Sequence, residues 1–136
     1  MRLIIAGGRD FNDYSLLCDE VSQFIGKEND VTIISGLARG ADTLGCKYAS
    51  ENSYNVEGFA AEWHIHGRSA GIRRNKYMAK HADHLIAFWD GKSRGTMHMI
   101  DFAHSLGLKV KVVPYKLSNK EKEKLVWDGI RKDGLL

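Results

Sequence analysis

Proline and cysteine are almost missing from this chain: 136 residues hold one proline, Pro114, and two cysteines, Cys18 and Cys46. The cysteines stand alone without metal-type spacing, so a thiolate metal site is not expected and the setting predicted is reduced and cytoplasmic. There is no internal repeat, low-complexity tract or proline-rich linker, and a single domain over 1–136 is the expected organisation. Long apolar runs are also absent. The N-terminal run ends at Ala6, too soon for a signal peptide or a membrane span, so no membrane partner is expected. Charge of one sign is scarce as well. Lys and Arg number 20 against 17 for Asp and Glu, a net charge of +3 without a long basic block, and this near balance argues against nucleic acid as a partner.

What the chain does have is short apolar runs that break into glycine. Leu3 to Ala6 stops at Gly7-Gly8-Arg9-Asp10-Phe11. Asn12 or Asp13 can then cap a helix carrying Leu17, Val21, Phe24 and Ile25, closed by Gly26. Val31 to Ile34 repeats the pattern with Ser35-Gly36-Leu37-Ala38-Arg39-Gly40-Ala41-Asp42, before a helix with Ala41, Leu44, Gly45, Tyr48 and Ala49 on one face. Val56 to Phe59 is a weaker strand, and Ala60 to Ser69 shows neither helical nor strand period and reads as an ordered loop. Gly71, Asn75, Met78, Ala79 and Ala82 share a helical face, which sets the Asn75 amide among apolar residues, where it needs a protein partner or a ligand.

Leu85 to Trp89 is apolar throughout, as in a strand covered on both faces. It breaks into Asp90-Gly91-Lys92-Ser93-Arg94-Gly95-Thr96, and an apolar stripe resumes at Met99, Ile100, Ala103 and Leu106. Strand, glycine loop and helix start is the order of a phosphate cradle, because unpaired amides and the helix dipole attract an anion. Val110 to Val113 gives a last strand, and Ser118 to Glu121 is a capping box opening a C-terminal helix with a solvated Lys/Glu face. Alternating elements of this length predict an α/β fold, a Rossmann-like doubly wound parallel sheet of about five strands in the order 3-2-1-4-5. In that order strands one and four are neighbours, and ligands bind between their carboxyl ends.

The residues expected at that edge are Gly7, Gly8 and Arg9 from the first loop, and Ser35, Gly36, Arg39 and Asp42 from the second. Arg74 and Asn75 join them from the third predicted helix, and Asp90, Gly91, Ser93, Gly95 and Thr96 from the loop after strand four. Arginines suit bidentate phosphate contacts. Trp63 and Trp89 are candidates for stacking on a base, although Trp89, ending an apolar strand, reads as core. His98 is close enough to Thr96 to approach a phosphate but reads as a solvated histidine. His64 and His66 have no third ligand, so no metal is expected, and no cofactor is implied. Ser93 and Thr96 lack a histidine and aspartate that the sequence can place, so nucleophilic catalysis is not supported.

The four segments Gly7 to Phe11, Ser35 to Asp42, Ala70 to Asn75 with Met78, and Ala82-Asp83 through Trp89-Asp90-Gly91 to Gly95-Thr96, taken in order, resemble the SLOG superfamily. The likeness is greatest to its small YspA-like members, and it runs from Met1 to about Pro114. It implies a Rossmann-like domain that binds a nucleotide or a nucleotide-derived ligand, such as an ADP-ribose-like molecule or a nucleoside phosphate. It also implies a homodimer through the helices flanking the site. The superfamily includes the cytokinin-activating phosphoribohydrolases, whose Arg-Lys-x-x-Met segment resembles Arg74-Asn75-Lys76-Tyr77-Met78, so Arg74 is the candidate catalytic residue. Their glycine loop resembles the segment ending in Gly95-Thr96-Met97-His98-Met99, but Met99 stands where those enzymes carry a glutamate. A thioether neither takes a proton nor stabilises an oxocarbenium ion. Asp42, Asp83, Asp90 or Asp101 can substitute only if the fold aims one at the sugar. Three functions follow in order: nucleotide binding or sensing, N-glycosidic hydrolysis or transfer, and DNA binding like that of DprA, against which the charge balance argues.

Overall fold

The computed structural model describes residues 1–118 and 120–124. Five parallel strands form one sheet: β1 (Arg2–Gly7), β2 (Thr32–Ser35), β3 (Asn55–Gly58), β4 (His84–Trp89) and β5 (Lys109–Pro114), in the order β3-β2-β1-β4-β5. The sequence-based order is therefore the observed one. Five α-helices connect the strands: α1 (Tyr14–Ile25), α2 (Ala41–Glu51), α3 (Trp63–His66), α4 (Ala70–Lys80) and α5 (Arg94–Ser105). No helix among the described residues is long and apolar enough to cross a membrane.

Side-chain alternation along the two central strands divides the core into two layers, since successive residues of a strand point to opposite faces. Leu3 and Ile5 of β1 and Ile86 and Phe88 of β4 face α1 and α2, packing with Leu17, Val21 and Tyr48. Ile4, Ala6, Leu85 and Ala87 face α4 and α5, where Met78, Met99 and Ala103 meet them. Both central strands are buried on both faces, which is why their sequences are apolar without alternation. The β1–β4 register brings Ile4 beside Leu85 and Gly7 beside Phe88, so the two glycine loops leave the sheet side by side.

Local signals set the helix ends. The Asp13 carboxylate accepts from Leu16 N at 3.1 Å and caps α1, while Gly26 closes it at φ 60°. Two expectations need correction. Ala60 to Ser69 is not a loop throughout: it holds the short helix α3 and a 3-10 turn at Gly67–Ser69, a pair too short to show a period and exposed over most of its length. Leu106 lies just beyond α5 and is half exposed, because the helix stripe ends at Ala103. Ser118 accepts through its hydroxyl from Glu121 N at 3.1 Å, and 120–124 is helical. The rest of the expected C-terminal helix lies outside the described residues.

Candidate functional site

At the carboxyl ends of β1 and β4 the sheet opens into a cavity of about 660 Å³, within the size range of small-molecule sites. Ten of the residues expected there line it: Gly7, Gly8 and Arg9 from the first loop, Asp42 from α2, Arg74 and Asn75 from α4, and Asp90, Ser93, Gly95 and Thr96 from the fourth loop and α5. The other four do not. Ser35 is fully buried, where its hydroxyl accepts from Leu37 N at 3.1 Å and shapes the second loop. Gly36 and Arg39 border a smaller hollow of about 350 Å³ that shares Arg9, Trp63 and Arg74 with the main one. Gly91 turns the fourth loop at φ 80°, a conformation that favours glycine.

The loop after β4 is built to start a helix. The Asp90 carboxylate accepts from Lys92 N at 2.9 Å and Ser93 N at 2.8 Å, and the Ser93 hydroxyl caps α5 by accepting from Thr96 N at 3.4 Å. Trp89 donates its indole N–H to the Ser93 carbonyl at 3.0 Å, so its role is to brace the loop. The amides of Arg94 and Gly95, in the first turn of α5, have no intrahelical acceptor and carry the positive end of the helix dipole. A Cβ on Gly95 would meet nothing within 4 Å. The protein itself gives no steric reason for a glycine there, and the space in front of it is open.

Arg74 ties the parts together. Its guanidinium donates to the Gly36 carbonyl at 2.5 Å and, through Nε, to the Asn75 amide oxygen at 3.0 Å. Asn75 in turn donates to the Gly95 carbonyl at 3.1 Å, so the amide that needed a partner has two within the protein and joins α4 to the first turn of α5. Asp42 is 6% exposed and accepts from Ala38 N at 3.2 Å. Burial pushes its carboxyl above the ordinary value, against the opposing pull of the Ala38 amide and of Arg74 and Arg9. Burial likewise lowers Arg74, and Asp42 offsets part of that. On the far rim the Asp10 carboxylate accepts from Tyr115 at 2.5 Å and pairs with Lys116 at 2.7 Å, which hold it below its usual range, Lys116 foremost.

Of the four carboxylates considered as substitutes for a glutamate, Asp42 and Asp90 line the cavity, and Asp83 and Asp101 do not. Asp83 accepts from Arg2 N at the opposite end of the sheet. Met99 is 1% exposed and forms part of the cavity floor. The wall also contains Trp63, expected from the sequence as a candidate for base stacking, and Arg68 and Arg94, which are not among the expected site residues. Trp63 and Arg68 sit in the stretch without helical or strand period, which carries no spacing signal for a site.

The family described as YspA, cpYpsA-related SLOG matches residues 1–66. The Gene 61 protein of Mycobacterium phage D29 is 32% identical over 116 residues, covering 80% of this chain and 93% of the relative. Two solved structures share the fold at 18% identity. DNA processing protein A (DprA) from Streptococcus pneumoniae superposes with a TM-score of 0.72 over 94% of this chain and 56% of its own, so this chain spans little more than half of that protein. DprA from Helicobacter pylori, described for its single-stranded DNA binding mode, gives 0.70 over 95% and 72%. That likeness corrects the expectation drawn from charge balance. A net charge near zero does not argue against nucleic acid when exposed arginines gather locally, as Arg9, Arg68 and Arg94 do at this cavity, since strand binding depends on local phosphate contacts.

Proposed function

For this chain, which belongs to the YspA, cpYpsA-related SLOG family, we propose that the cavity between β1 and β4 binds a nucleotide or nucleotide-derived ligand, as a binding or sensing module. The observation that carries this reading is the open first turn of α5 opposite Arg74 and Arg9 in one concave site. A phosphate set against the Gly95 and Thr96 end of the helix would meet main-chain amides and the helix dipole, with guanidinium groups within the same cavity for charge-assisted contacts. Trp63, half exposed on the wall, offers a face for a base. The apolar floor of Met78 and Met99 puts a thioether at the position where the phosphoribohydrolases carry their glutamate, which favours binding over N-glycosidic cleavage. Titration calorimetry with nucleoside mono- and diphosphates and ADP-ribose tests the reading: wild type should bind at least one, and Arg74→Ala should weaken it more than tenfold. Absence of binding to all of them would overturn it.

A second reading is favoured by one finding, the fold shared with a protein described for binding single-stranded DNA. Under it, a strand lies across the cavity mouth with phosphates on Arg9, Arg68 and Arg94 and a base on Trp63. Oligothymidylate titrated against Arg68→Ala and Arg94→Ala separates the two, because the mouth arginines then govern affinity and Arg74 does not.

A further inference from the structure

We propose that Asp42 is the residue that reads the sugar of the bound nucleotide, its carboxylate accepting hydrogen bonds from ribose hydroxyls, so that the cavity selects ribonucleotides over their 2′-deoxy counterparts. This rests on the nucleotide reading above. Asp42 is more than nine-tenths buried and lies on the cavity wall. The local loop needs only one of its oxygens: Oδ2 accepts from Ala38 N, a task that asparagine or serine performs as well. A carboxylate is an acceptor with two oxygens and no proton to give, so the second oxygen asks for a donor. Phosphate is the wrong partner for it, since like charges repel in a desolvated site. Hydroxyl groups are the right one.

The surroundings fix where such a sugar lies. Gly36 leaves a gap in which a single added Cβ would stand 2.8 Å from both Asp42 Oδ2 and Arg74 Nη1, so acid and guanidinium converge on one point of the second loop. From there Arg74 leads through Asn75 to the Gly95 carbonyl by bonds of 3.0 and 3.1 Å. One guanidinium and one amide therefore separate the acidic end of the cavity from the anion-attracting end, a polarity that orients a molecule with hydroxyls at one side and phosphate at the other. Burial keeps the carboxyl high and the two arginines pull it back, which is the environment in which a charge-assisted bond to a hydroxyl counts most.

The test is calorimetry on the full chain with the four ribonucleoside diphosphates and their 2′-deoxy counterparts, against wild type, Asp42→Asn and Asp42→Ser. The expected result is a preference for the ribo form of about tenfold or more in wild type, the size of one charged hydrogen bond. In both variants that preference should shrink to near unity, the ribo forms losing more affinity than the deoxy forms. Equal wild-type affinity for ribo and deoxy forms, or a preference that survives in a folded variant, overturns the role of Asp42 and leaves the nucleotide reading standing. Wild type that binds none of the eight overturns both. Should either variant fail to fold by circular dichroism, the wild-type ratio and the other variant still decide.

Discussion

Arg74 has three neighbours to satisfy, and its removal would be felt by each. Without it the Gly36 carbonyl and the Asn75 amide oxygen lose their donor and the buried Asp42 loses its counter-charge, a loss of about 1.5–3 kcal/mol for one charged hydrogen bond. Arg74→Ala should therefore lower the thermal midpoint as well as nucleotide affinity, and Arg74→Lys should recover charge but not the fork; scanning calorimetry with and without nucleotide checks both. Asp42 gives a stability prediction with a definite sign. Burial raises its carboxyl above the ordinary 3.8, so the native state keeps a proton that the unfolded chain releases. That contribution is complete below pH 3.8 and is lost as pH rises through the higher native value. Denaturant unfolding of wild type and Asp42→Asn should show wild type losing stability relative to the variant from about pH 4 upward and no such trend below; a difference that grows in favour of wild type would refute this. Met99 sets a chemical limit. Departure of a base leaves positive charge on the sugar, which a methionine does not stabilise, so release of free base from nucleoside monophosphates should be negligible by chromatography. Robust turnover abolished by Arg74→Ala would instead make the protein an enzyme.

The loops between elements show which glycines are there for the fold and which for the site. A Cβ on Gly40 would stand 2.2 Å from the Gly8 carbonyl, and its φ is 77°, so Gly40→Ala forces backbone apart and should cost several kcal/mol, of the order seen when a rigid core is overpacked. Gly36→Ala meets only the ends of two side chains. It should lower the thermal midpoint to about the extent of Arg74→Ala, well short of the Gly40 change, and cut nucleotide affinity about tenfold, by displacing Arg74. Gly8 belongs with Gly40: its Cβ would fall 1.7 Å from the Tyr115 hydroxyl, a contact made across more than a hundred residues of sequence. This contact shows why part of the site was hidden. Strand order, the two glycine loops and the helix stripes are local patterns and could be read from spacing. Ser35 looked like a ligand residue because its loop does, yet its side chain turns inward, and nothing in the spacing distinguishes the two. Trp63 and Arg68 reach the cavity from a pair of turns too short to carry a period, and Tyr115 and Lys116 meet Asp10 only because β5 lies beside β4.

At the scale of the whole molecule the question is whether one ligand fills the cavity or a strand crosses it, and salt separates the two. Screening at physiological ionic strength reaches about 8 Å, so charges distant from the site contribute little and the chain's net +3 is a poor guide. Three exposed arginines, Arg9, Arg68 and Arg94, stand at the mouth. If each meets one phosphate of a single strand, the logarithm of affinity should fall with the logarithm of salt at a slope of about −2, since each contact contributes roughly −0.7. Fluorescence anisotropy with labelled oligothymidylate between low and moderate salt measures it. Under the strand reading each arginine-to-alanine change removes about one third of that slope, and a saturating ribonucleoside diphosphate displaces the oligonucleotide because both need Trp63 and the same mouth. A slope steeper than about −4 would require phosphate contacts well beyond this cavity and would move the nucleic-acid surface elsewhere on the fold. Strand binding that persists unchanged with the cavity filled by nucleotide would do the same, leaving the small-molecule site and the strand site as separate features of one sheet.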